Sequence, residues 1–199
     1  LSLFLSLPAS VALLIAANQI ISALFGYGQF DENSVLNSAK ALYYFGLGLP
    51  AFAMIKVFSS FFFANHDTKT PFYISLVSVL LNIIISVYFF RSIGFIIIPI
   101  ATTISSWFNS ILLFLFLKKR NLFSFNKIFF IRFFKIVVSS ILMGLFFNYL
   151  MILFNHQLSF GNSLKSIYLI LSVILGLGFY LLISYLIKAF QLEDIKLKY

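Results

Sequence analysis

The stretch FYISLVSVLLNIIISVYFF, residues 72–90, decides the fold. Thirteen of its residues are Phe, Ile, Leu or Val. At roughly −0.5 kcal/mol each, they favour insertion into lipid by about 6 kcal/mol, a margin that Asn82 alone does not offset. About 20 such residues span roughly 30 Å of hydrocarbon as a helix. Barrel strands are excluded by length, being about ten residues long, and by the absence of apolar and polar alternation. This span is placed at residues 71–90. Outward from it, five more segments qualify, at about residues 3–25, 36–63, 93–117, 129–154 and 165–188, each bounded by polar or turn residues. The expected fold class is all-α, a polytopic transmembrane helical bundle of six spans.

Composition agrees. Of 199 residues, 62% are hydrophobic, 20% aromatic and only 10% charged, with a mean hydropathy of +1.06. A soluble domain carries about 25% charged residues to cover its surface. The net charge of +9 does not indicate nucleic acid, because the basic residues sit in short loops between apolar spans. Lacking cysteine, the chain has no disulfides, thiol catalysis or Cys-ligated metal. It opens on Leu1 without a basic leader, and is expected to begin inside a longer protein.

Orientation follows from the positive-inside rule. With the first span running outward, the inner loops hold Lys69, Lys118, Lys119, Arg120, Lys127, Arg132, Lys135, Lys188, Lys196 and Lys198; the outer side holds only Lys40, Arg91 and Lys165. Both ends are then cytoplasmic. The segment from Lys118 to Lys135 mixes basic residues with Phe and Ile, as a topology-setting loop or an amphipathic stretch on the inner surface does.

Chemistry is sparse. Asp31, Glu32, Asp67, Glu193, Asp194, His66 and His156 all fall outside the spans, which leaves no intramembrane carboxylate or imidazole for acid–base work or metal binding. An enzyme is not expected. Lys56 is the one cation well inside a span; it either snorkels to headgroups or faces a cavity on an anionic substrate's path. The third span carries Ser75, Ser78, Asn82 and Ser86 on one helical face, and the fourth carries Thr102, Ser105, Ser106 and Asn109. These stripes either bond two helices together or form a polar seam lining a cavity, with Asn82, Ser86 and Thr102 able to hold a monovalent cation. In the loop ANHDTKTP, residues 64–71, Asp67 or Thr68 is expected to cap the next helix. Pro8 and Pro50 are expected to bend the first two spans. Ser140 with Gly144, and Ser172 with Gly176, mark faces for close packing of the last two.

Two stretches carry a family resemblance. GLPAFAMIKVFSSFFFANHDTKTP, residues 48–71, resembles the stretch of the MurJ (MviN) family in which a Gly-Leu-Pro-Ala helix leads through Lys-Val to an aromatic patch and an Asp-Thr-Lys/Arg-Thr-Pro loop. LPASVALLIAANQIISALFGYGQFDENS, residues 7–34, is similar to the preceding helix and its Leu-Phe-x-x-Gly-x-Phe turn. The resemblance is strong over residues 1–120 and continues by hydropathy.

The resemblance implies the last six spans of a fourteen-helix flippase of the multidrug/oligosaccharidyl-lipid/polysaccharide exporter superfamily. Residues 1–120 would supply four helices of the second lobe. Residues 121–199 would supply the amphipathic inner-surface segment, two C-terminal helices forming a lipid-tail groove, and a short cytoplasmic tail. The implied function is movement of lipid II (undecaprenyl-pyrophosphate-linked muropeptide) across the bacterial inner membrane by alternating access. Lys56, Asp67 and Lys69 become substrate-path candidates; Asn82, Ser86, Thr102 and Asn109 become cation or seam candidates. The positions of Asn82, Ser86 and Thr102 look similar to the family's sodium site, with Ser86 standing where that pattern has an acidic residue. No cofactor is implied beyond sodium or the membrane potential as driving force. Implied partners are lipid II, membrane lipids and the protein's own N-terminal part, and no nucleic acid. The alternatives are a related exporter of polysaccharide-linked lipids or small cations, and a non-transporting envelope scaffold.

Overall fold

The computed structural model describes residues 2–122 and 127–189. They form α1 (Ser2–Phe25), α2 (Glu32–Ala64), α3 (Lys69–Ile93), α4 (Ile97–Lys119), α5 (Lys127–Leu153) and α6 (Lys165–Leu186), with a single 3-10 turn, Gly94–Ile96, between α3 and α4. No strand occurs among the described residues.

The expected count of six separate spans needs correction. Among the described residues, five helical stretches are long and apolar enough to cross a membrane, and one of them, Lys69–Lys119, runs for 51 residues. A straight helix of that length would extend about 76 Å, far beyond a bilayer. Instead it doubles back: Asn82 meets Thr102 and Ser105, and Ser75 meets Asn109, so α3 and α4 lie antiparallel. The polar break expected near residue 91 is a helical turn rather than a loop. Gly94 makes it possible, with φ 75° and ψ −154°, a region essentially closed to residues with a Cβ.

Local chemistry sets the helix ends. Asp31 Oδ1 accepts the Ser34 N–H at 2.8 Å and caps α2. Asp67 Oδ1 accepts the Thr70 N–H at 3.0 Å, while Thr68 makes no capping bond. Pro71 and Pro99 occupy first turns, where a missing N–H removes no helical bond. At the far ends, α2, α4 and α6 close alike. His66, Asn121 and Lys188 take positive φ, and the following N–H groups of Asp67, Leu122 and Ala189 return to the carbonyls of Phe62, Leu117 and Ser184.

The chain forms two compact units, one of Leu1–Ser6 with Lys40–Ser124 and one of Leu7–Ala39 with Phe125–Tyr199. In the first, Phe58 and Phe62 of α2, Ile74 of α3, and Leu113 and Leu117 of α4 build an apolar core. Helix α2 continues through Pro50. The carbonyls just ahead of that proline receive donors from α4: Thr103 Oγ1 donates to Tyr44 at 2.7 Å and Trp107 Nε1 to Leu47 at 3.1 Å. These side-chain donors tie α4 to α2 beside the proline, whose missing N–H concerns a different carbonyl, that of Gly46 four residues back.

In the second unit, Phe146 of α5 stacks on Phe179 of α6, with ring centroids 4.4 Å apart, and Gly176 faces Phe147. Gly144 serves a different neighbour from the one its spacing suggests: a Cβ there would lie 2.6 Å from Val11 Cγ1 of α1. The break in α1 falls at Ala16 (φ −116°, ψ 22°), not at Pro8. Lys127, Arg132 and Lys135 lie on α5 itself, continuous with the apolar helix. Residues 123–126 of the expected surface segment, and Lys196 and Lys198 of the tail, lie outside the described residues.

Candidate functional site

The polar stripes of α3 and α4 meet along a cleft of about 280 Å³, lined by Ile55 of α2 together with Ser78, Val79, Asn82, Ile83, Thr102, Ser105, Ser106 and Asn109. Asn82 sits near the middle of α3 and organises one end. Its Nδ2 donates to Thr102 Oγ1 at 3.1 Å and Ser105 Oγ at 3.2 Å, while its Oδ1 accepts the Ser86 hydroxyl at 3.2 Å. Helical periodicity explains the convergence, since positions three and four apart share a face. Two turns along, Asn109 Nδ2 reaches Ser75 Oγ at 3.5 Å, and Asn109 Oδ1 is buried without a hydrogen-bond partner. Such an orphan costs about 1–3 kcal/mol.

The structure therefore gathers Asn82, Ser86, Thr102 and Asn109 into one system. Lys56, Asp67 and Lys69 stand apart from it. Lys56 is exposed on α2, next in sequence to cleft-lining Ile55 but not itself part of the lining. Lys69 is exposed at the start of α3, 13 residues before Asn82, which is about 20 Å along the helix. Asp67 belongs to a cluster at that same end. Its Oδ2 accepts the Thr70 hydroxyl at 2.6 Å and pairs with Arg120, whose second guanidinium nitrogen donates to Thr70 Oγ1 at 2.9 Å. The Thr70 hydroxyl and N–H, then Arg120, hold the Asp67 carboxyl down at a pKa of about 2.

What the cleft can do chemically is limited and clear. Its lining holds hydroxyls and amides but no ionisable group, so it can accept and donate hydrogen bonds or solvate a small cation, and it offers no proton-transfer catalyst.

Over residues 1–190, the chain matches the family model described as lipid II flippase MurJ. The chain belongs to the MurJ family. A probable lipid II flippase MurJ of Thermotoga maritima is 35% identical over 194 residues, covering 98% of this chain and 37% of the relative. A Rhizobium meliloti relative of the same description is 41% identical over 113 residues, covering 57% of this chain and 21% of its own length. The solved structure described as lipid II flippase MurJ in an inward closed conformation matches with a TM-score of 0.75 at 27% identity, covering 92% of this chain and 36% of that one. The chain spans well under half the length of each of these MurJ proteins. It is a multi-pass membrane segment of that family.

Two residues of this MurJ chain escaped sequence reasoning. Arg120 reads as one of three consecutive basic residues closing a span, and nothing nearby announces a partner 53 positions away. Lys165 reads as an outer headgroup cation, yet it is 1% exposed. Its Nζ donates to Gly26 O at 2.6 Å and Phe160 O at 2.8 Å, and lies over the Tyr27 and Phe160 rings at 4.3 and 4.7 Å. Next to it, Ser166 Oγ donates to Ala23 O at 2.6 Å and meets the Tyr27 hydroxyl at 2.7 Å. A cation in the first turn of α6 opposes that helix's dipole, but here it also faces the carbonyl end of α1, where positive charge is favoured.

Proposed function

We propose that the protein containing this chain moves lipid II from the cytoplasmic to the periplasmic leaflet of a bacterial inner membrane by alternating access. The likeness of 92% of the chain to a solved lipid II flippase, at a TM-score of 0.75 and 27% identity, is the observation that carries this reading. Transport of this kind makes and breaks no covalent bond. It needs a polar route for a charged headgroup while the polyprenyl tail stays in lipid, and interfaces able to rearrange.

In this reading the chain supplies helices of the second lobe and the two that follow, with both chain ends cytoplasmic. Lys56 and Lys69 border the anionic substrate's path, and Asp67 shapes the loop that presents Lys69. The Asn82, Ser86 and Thr102 oxygens hold a monovalent cation such as sodium, or the membrane potential drives the cycle. Depleting the intact protein in growing cells tests the function. Lipid II reached by an externally added probe should fall severalfold as precursor accumulates inside, and undiminished exposure would reject the proposal.

A further inference from the structure

The Asn109 end of the α3–α4 cleft presents oxygens that have lone pairs to offer and no protons. Ser78 gives its hydroxyl proton to Ile74 O at 2.8 Å, and Ser106 gives its own to Thr102 O at 2.6 Å. Only their acceptor capacity remains for the cleft. Asn109 is 7% exposed, spends an amide N–H on Ser75, and keeps an Oδ1 that accepts nothing. The residues that carry these three acceptors line a cleft of about 280 Å³ whose lining carries no formal charge.

These lone pairs call for a hydrogen-bond donor, the cation reading being confined to the Asn82, Ser86 and Thr102 end of the cleft. Water is such a donor. Each molecule takes roughly 30 Å³ and needs two to four polar neighbours, so the cleft has room for several. A dry cleft would leave Asn109 Oδ1 bare in a helix pair made to lie in hydrocarbon.

We propose that this end of the cleft is a water-binding site, in which ordered water donates to Asn109 Oδ1 and to the Ser78 and Ser106 hydroxyl oxygens. Its residues lie four to seven positions, about 6–10 Å along the helices, from Asn82 and Thr102 of the cation candidate. It does not rest on the flippase reading, because hydration needs no transport. A sugar hydroxyl shares water's donor chemistry, so the decisive measurement is made in vesicles free of lipid II.

The 199-residue chain contains no cysteine, so a single reporter thiol can be introduced by Ser106→Cys in the intact protein, freed of any other reactive thiol. Only the thiolate reacts, and it forms where water reaches. With a small charged thiosulfonate, Ser106→Cys should label at least ~10-fold faster than Ser172→Cys, a fully buried position whose hydroxyl makes the same kind of backbone bond, to Tyr168 O at 2.8 Å. Rates within a factor of two would overturn the proposal. Adding Asn109→Leu should slow Ser106→Cys labelling severalfold, and an unchanged rate would remove Asn109 from the site. Replacing sodium by choline should leave labelling unaltered; slowing by sodium would make the occupant a cation and overturn a neutral one. Failure of these measurements leaves the external lipid II result as it stands.

Discussion

The α3–α4 cleft and the Lys165 cage both place polar groups inside apolar surroundings, and they do so in opposite ways. At Lys165, one full charge is enclosed by two carbonyls and two aromatic faces. Along the cleft no group is charged, an acceptor is left over, and space remains. A filled cluster works as a fastener, because the bonds it makes are spent on the fold. An unsaturated cluster beside a void keeps capacity for something that is not part of the chain. Polarity alone does not separate these roles; the remaining bonding capacity does.

The largest effect should come from opening the fastener. Lys165→Met keeps an apolar stem but strands the Gly26 and Phe160 carbonyls, removing two charge-assisted bonds worth about 1.5–3 kcal/mol each. A stability loss of about 3–5 kcal/mol is expected from unfolding midpoints in detergent, and a loss below about 1 kcal/mol would show the cage to be slack. The seam should respond far less. Interhelical hydrogen bonds in membranes average about 0.6 kcal/mol, so Asn82→Leu should cost about 0.5–1 kcal/mol by the same assay. A cost above about 2 kcal/mol would make the seam a second fastener and erase the contrast.

Smallest is the pH response of the Asp67 cluster, an exposed fastener. Its carboxyl is lowered to about 2 from an ordinary value of 3.8, so its contribution is fully present above about pH 4 and fades as pH falls through 2. Amide exchange at Thr70, compared with intrinsic rates, should keep constant protection from pH 7 to about 4 and lose it below. Protection that weakens near pH 6 would point to a group other than Asp67.

The spans were legible because hydrocarbon imposes a length and an apolar content that few other constraints mimic; residues 72–90 meet both without help from context. The seam was legible for a related reason, since Ser75, Ser78, Asn82 and Ser86 share a face in any α-helix. Continuity through Gly94 was hidden, because Arg91, Ser92 and Gly94 announce a break whether the chain turns in a loop or within a helical turn. The cage was hidden more deeply. Lysine at the edge of a span ordinarily reaches for headgroups, and the groups that hold Lys165 are backbone carbonyls, which no side-chain pattern records. Asp67 was legible as a cap only as an alternative to Thr68, and its bond to Arg120 depends on how α4 returns.

The tight reversal at Gly94–Ile96 also bears on how such a chain is made. Three residues hold α3 and α4 side by side from the moment both are made, which suits them to enter the bilayer together as one hairpin. Zipping Asn82 onto Thr102 and Ser105 beforehand would hide the polar face of each helix inside the other during that passage.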